Sequence, residues 1–138
     1  LMKQGSAHKS LGAYRHKQKQ DPSEEYLAAI ACYDRVIEVD RSQDDAVNNR
    51  ADAERQLGDW ERSQDRDPTE WYAKALAEYE GLVKRQPRMW QAQANRGMLL
   101  ERLGRAEEAI EAYRAALKVS PGQPGVKRLL DAAEKKAK

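Results

Sequence analysis

The sequence predicts an all-α chain of three antiparallel helix hairpins followed by one closing helix, and three observations carry that prediction. Small and apolar residues recur at helical spacing along most of the chain, with no stretch of strict alternation. A block of sequence also returns after a constant step of 46 residues: Leu11-Gly12 as Leu57-Gly58, Asp21-Pro22 as Asp67-Pro68, Ala29 as Ala75 and Tyr33 as Tyr79. The same step carries Ala51 to Gly97 and Leu57-Gly58 to Leu103-Gly104. Finally, Asp-Pro, Leu-Gly and Pro-Gly pairs punctuate the chain where helices would start or turn.

The helices follow in order. The first spans Met2 to Lys17 and the second Pro22 to Val39. Asp44 to Arg62 and Pro68 to Arg85 repeat that pair, with nothing before either Asp-Pro to break the longer first arm. Asp21-Pro22-Ser23-Glu24 and Asp67-Pro68-Thr69-Glu70 read as helix starts, with Asp as cap, Pro first in the helix and Glu completing a capping box. The third pair, Arg88 to Leu103 and Ala106 to Val119, is joined tightly at Leu103-Gly104-Arg105. Its first helix carries Gly97, Leu99, Leu100 and Leu103, and its second Ala109, Ile110, Tyr113, Ala116 and Leu117. Beyond the Pro121-Gly122-Gln123-Pro124 break, Gly125 to Lys136 forms a helix with one apolar stripe (Val126, Leu129, Leu130, Ala133), as an end cap requires. Together these read as a single domain over residues 1–138, with repeats at 1–43, 44–89 and 90–123 and the cap at 125–136.

The third copy's small residues, tyrosine, Leu-Gly turn and closing Pro121 resemble the tetratricopeptide repeat, a helix–turn–helix unit of about 34 residues. The first two copies exceed that length by about 12 residues, placed between the Leu-Gly pair and the small residue of the second helix. The resemblance implies a right-handed superhelical solenoid whose concave surface is lined by the first helices and binds extended or helical peptide segments. Position by position it points to Lys3, Ser6 and Lys9 in the first copy, and to Asn48, Asn49, Asp52 and Arg55 in the second. In the third it points to Ala94, Asn95, Met98, Glu101 and Arg102. Asn49 and Asn95 share one place in two copies, and an amide there can pair with a peptide backbone through donor and acceptor together. A solvated helix face would carry the same residues.

Some family members clamp a C-terminal carboxylate through Lys and Asn on one repeat, Asn on the next, and Lys and Arg on a third. This chain keeps Asn49 but has Met2 and Ser6 in place of the first pair and Gln91 and Asn95 in place of the last, which argues against that clamp. Asn95-Arg96-Gly97 is similar to a bacterial variant of the repeat, which implies a bacterial source; the compartment stays open, with a soluble chain of the cytoplasm or periplasm expected.

Composition narrows the function classes. Charged residues make up 35% of the 138 and the net charge is only +2, so solvated helix faces are expected and nucleic-acid binding is not. Asp44, Asp45 and Asp52 also interrupt any basic groove. The basic residues Lys3, Lys9, Arg15, Lys17 and Lys19 crowd the front of the chain ahead of an acid-rich stretch from Glu24 to Glu61. The chain also begins directly in a repeat helix, so either further residues or a second chain would cover that end. Self-association through this basic end is therefore the alternative to peptide binding.

No apolar run approaches the roughly 18 residues a membrane span needs, so no membrane insertion is expected. Cys32 is the sole cysteine and reads as a buried helix residue beside Tyr33 and Val36. His8 and His16 are eight residues apart, which suits neither a one-turn metal pair nor a catalytic triad. No metal site, no cofactor and no catalysis are expected. Arg50 and Arg96 fall at one place in two copies and read as structural arginines that bury the stem and send the guanidinium to a carboxylate. Tyr14, Tyr26, Trp60, Trp71, Tyr72 and Trp90 lie near turns and junctions, where aromatics pack one helix on the next; an exposed Trp71-Tyr72 pair would instead be an interaction hot spot.

Overall fold

Seven α-helices and no strands make up the computed structural model, which describes residues 1–138. They are α1 (Met2–Lys17), α2 (Ser23–Val39), α3 (Asp44–Ser63), α4 (Thr69–Arg85), α5 (Trp90–Arg102), α6 (Ala106–Val119) and α7 (Pro124–Ala137). This is the all-α helical-repeat fold the spacing predicts. None of the helices is long and apolar enough to cross a membrane. The chain divides into two compact units, Leu1–Glu78 and Tyr79–Lys138, the division falling within the continuous helix α4.

In the first unit α1 packs along α2, α2 along α3, and α1 also touches α3. One core patch is Ala29, Tyr33 and Ala46, with Met2, Val36 and Ile37 against it. A second is Tyr26, Ala53 and Leu57, with Ile30 and Trp71 against it. In the second unit α5 packs along α6 and α6 along α7, burying Leu99, Leu100, Tyr113, Ala116, Val126 and Ala133.

What lets the paired helices approach so closely is glycine facing tyrosine. A Cβ on Gly5 would lie 2.7 Å from the Tyr33 ring, on Gly12 2.8 Å from Tyr26, on Gly58 2.5 Å from Tyr72 and on Gly97 2.5 Å from Tyr113. Real Cβ atoms do not come that near, so each tyrosine ring fills the space a side chain would have taken. Gly12 and Gly58 therefore lie inside their helices, although in sequence they align with the turn residue Gly104. The structural counterparts of Gly104 (φ +76°) are Lys19 (φ 58°) and Asp65 (φ 57°). Each of the three occupies the left-handed position that ends a first helix in a Schellman motif. Gln20 N–H donates to Arg15 C=O (2.8 Å), Arg66 N–H to Glu61 C=O (2.8 Å) and Arg105 N–H to Leu100 C=O (2.9 Å).

Several expectations need correction. The Asp-Pro starts are capped by Asp alone: Ser23 N–H donates to Asp21 Oδ1 and Thr69 N–H to Asp67 Oδ1, each at 2.9 Å. Glu24 is exposed, and Glu70 turns forward to Lys74 (3.8 Å), one turn along its own helix, rather than back to complete a box. Leu11 and Leu103 are exposed, whereas Leu57, at the same place in the second copy, is buried. Cys32 is half-buried rather than buried. Tyr72 and Trp60 are buried and Trp71 packs against the core, so the Trp71-Tyr72 pair is not an exposed hot spot.

Candidate functional site

Helix α3 has two polar faces, and both carry organised side chains. Toward α1, Lys9 Nζ donates to Asn49 Oδ1 at 3.2 Å and to Asp52 Oδ2 at 3.0 Å. Arg55 pairs with Asp52 one turn back and with Asp59 at 3.5 Å one turn on. Gln56 donates to Asp52 Oδ2 (2.9 Å) and accepts from the Tyr26 hydroxyl (2.6 Å). The Tyr72 hydroxyl donates to Asp59 at 2.5 Å.

Four of the residues the sequence singles out, Lys9, Asn49, Asp52 and Arg55, thus belong to one network spanning α1 and α3. Burial alone would raise the Asp52 carboxyl, but Arg55 and Lys9 outweigh it and hold the group below the usual carboxylate range. Burial first, and then the Asp52 charge, push the Tyr26 phenol to about 12. The network is a fixed polar surface: Arg55 is only 8% exposed, and the amide of Asn49 is oriented by Lys9. Asn48 stands beside it on α3, half-buried. In the second unit Asn95, Met98 and Arg102 lie along α5, all half-buried, and Arg102 Nη1 donates to the Met98 carbonyl at 3.0 Å. Gln56, Asp59 and Tyr26 are members of the first-unit network that the family positions did not indicate.

On the other side of α3 is a cleft of about 440 Å³ lined by Ile30, Asp34, Arg50, Glu54, Trp71, Lys74, Ala77 and Glu78. Arg50 reaches Asp34 Oδ1 at 2.9 Å, pairs closely with Glu78, and lies 3.9 Å from Glu54. The expected burial of its stem and pairing of its guanidinium is what the structure shows. Burial, then the adjacent Glu78 carboxylate, push Glu54 up to about 9, so at neutral pH this pair holds a proton. Lys74 Nζ stands 5.1 Å from the centre of the Trp71 ring at the cleft wall. The signal that could have found this site is Glu54 itself, a carboxylate where the same repeat position 46 residues on is Leu100.

His8 and His16 serve packing: His8 Nδ1 lies 2.8 Å from Glu25 Oε2, and the His16 ring meets Trp60 edge-on at 5.2 Å. No three His, Cys, Asp or Glu side chains are grouped so as to hold a metal ion.

The tetratricopeptide repeat family model matches residues 23–63 and 71–124. No curated protein matches the chain in sequence. Among solved structures, the first TPR of Spaghetti (RPAP3) bound to the HSP90 peptide SRMEEVD is 21% identical, with a TM-score of 0.69 over 99% of this chain and 97% of that one. The Arabidopsis OM64 TPR domain is 21% identical, with a TM-score of 0.68 over 98% of each chain. The second TPR domain of human RPAP3, in complex with the HSP70 peptide SGPTIEEVD, is 23% identical, with a TM-score of 0.65 over 95% of each. At these identities the likeness is one of fold. With the family pattern matched over most of its length and the glycine–tyrosine hairpins in place, the chain belongs to the tetratricopeptide repeat family.

Proposed function

We propose that the chain is a protein-interaction module whose first helices each offer a polar face to an extended segment of a partner. Those faces are Lys9, Asn48, Asn49, Asp52 and Arg55 in the first unit and Asn95, Met98 and Arg102 in the second. The observation that carries the reading is the network joining Lys9 to Asn49 and Asp52: a backbone-pairing amide is held in one orientation before any ligand arrives, which lowers the ordering cost of binding. Two solved structures of the same fold contain HSP90 and HSP70 peptides, which supports a peptide ligand in general. Met2, Ser6, Gln91 and Asn95 replace the carboxylate-clamping residues, so the segment bound here is recognised along its backbone rather than by its terminus.

The test is selection of peptides from a displayed random library, followed by titration. Replacing Asn49 and Asn95 together by Ala weakens the selected peptide about tenfold, the loss of one to two net hydrogen bonds, while Tm holds. An unchanged Kd refutes the reading. A second reading, self-association, is favoured by the exposed Leu11 and Tyr14 on the basic first helix and Leu27 on the helix paired with it. Sedimentation across a salt series decides it: a monomer at low salt and high concentration removes it.

A further inference from the structure

We propose that the cleft between α2, α3 and α4 is a second binding site, built for an alkylammonium cation: the lysine side chain of a partner protein, seated against Glu54, Glu78 and Trp71. This goes beyond the peptide-binding reading, because it uses the side of α3 turned away from Asn49 and Asp52.

The first argument is unmet polarity. Glu54 is only 5% exposed, and its Oε2 and that of Glu78 are buried beside an open cleft with no donor from any other residue, so the pair is satisfied only by the proton the two carboxyls share. A buried carboxylate oxygen without a donor is costly, and an ammonium brings three donors. The second argument is charge. Asp34, Glu54 and Glu78 face Arg50 inside the cleft and Lys74 at its wall, three acids to two cations, which leaves the cleft short of positive charge unless a proton or a ligand supplies it. The third is internal comparison. At the same repeat positions later in the chain, Arg96 and Glu80 repeat Arg50 and Asp34, but Leu100 and Ala112 stand in place of Glu54 and Glu78. The repeat therefore folds without this carboxyl pair, and packing does not account for it.

The chemistry of the walls selects the ligand. Ile30, Trp71 and Ala77 offer apolar surface to an alkyl stem, while the ring attracts a cation. The chain's own Lys74 already places an ammonium over that ring. No three His, Cys, Asp or Glu side chains at the cleft are grouped so as to hold a metal ion.

Binding also has a proton signature. Glu54 faces Asp34 from α2, Arg50 on its own helix, and Lys74 and Glu78 from α4. Its carboxyl, raised to about 9, must give up its proton when an ammonium arrives. Affinity therefore rises with pH between 6 and 8, where the lysine side chain stays charged.

The experiment titrates the ¹⁵N-labelled chain with Nα-acetyl-lysine N-methylamide and, separately, with its neutral ε-acetylated form. The expected result is saturable shifts of the Trp71 indole and the Ile30 and Ala77 amides at millimolar concentrations of the charged probe alone. Glu54→Leu, which installs the later repeat's residue, weakens the probe at least tenfold with the amide spectrum still folded, and Glu54→Gln does the same without changing shape. Absence of shifts, equal response to the neutral probe, or unchanged affinity in both variants overturns the proposal.

Discussion

Replacing Glu54 by Gln should make the chain more stable at pH 8 than the parent and leave it nearly unchanged at pH 5. The folded state raises this carboxyl from 4.5 to about 9, through burial first and then the neighbouring Glu78. Between those values the folded chain binds one more proton at this site than the unfolded chain, so stability falls as pH rises. The slope is about 1.4 kcal/mol per pH unit, or about 4 kcal/mol from pH 5 to pH 8. Gln has the shape of the protonated acid and no proton to lose, so the variant is spared that decline. For a chain of this size the difference at pH 8 corresponds to roughly 12 °C in Tm.

The carboxylates held below their usual range, Asp52 and the capping Asp21 and Asp67, act in the opposite direction and elsewhere on the scale. Their contribution is present above the ordinary carboxylate pKa and is lost only on acidification, so it does not overlap the interval from pH 5 to pH 8. Urea denaturation of parent and variant across that interval measures the effect. Parallel stability curves would refute the reasoning, because they would mean that Arg50 keeps Glu54 ionised in the folded chain.

Other perturbations follow from the same geometry. Gly58→Ala places a methyl 2.5 Å from the Tyr72 ring and should cost about 1–3 kcal/mol despite the better helix propensity of alanine, read as a lower urea midpoint. Gly81→Ala is the control: its Cβ meets only the end of the Arg85 side chain at 3.3 Å, so propensity should win and stability should rise by up to about 1 kcal/mol. Asp65→Gly relieves a left-handed residue at a helix end and should raise stability by about 1 kcal/mol, with Lys19→Gly doing the same; a loss in either would contradict the Schellman assignment. Lys9→Ala leaves Asp52 with Arg55 and Gln56 alone, so the Asp52 carboxyl should titrate higher in ¹³C-detected NMR.

Helix order and ends were readable from residues because they depend on local signals. Asp-Pro fixes the starts of α2 and α4 to within a residue, and the absence of a breaker correctly carries α1 to Lys17. What the alignment concealed is that one sequence position can do two jobs. Leu11-Gly12 and Leu57-Gly58 match Leu103-Gly104 letter for letter, yet only Gly104 turns the chain; the other glycines admit tyrosines from across the hairpin. That distinction depends on which residue lies opposite, which spacing along one helix does not contain. For the site, family positions drew attention to Lys9, Asn49, Asp52 and Arg55 but not to how strongly they bind one another. Glu54 falls on the same helix face as Ala46, Arg50, Ala53 and Leu57, and nothing in the spacing of that helix singles it out. Its proton and its cleft depend on α2 and α4 arriving from elsewhere.

The first hairpin has two ring-into-gap contacts, Gly5 with Tyr33 and Gly12 with Tyr26, seven residues apart on both helices of the pair. Seven residues are close to two full helical turns, about 10 Å of rise, so both gaps open on the same side. A hairpin notched in this way has a ratchet: sliding one helix by a single residue drives a side chain into an aromatic plane at both notches together. An insertion between the two gaps that is not close to a whole number of turns therefore rotates one gap away from the ring that fills it.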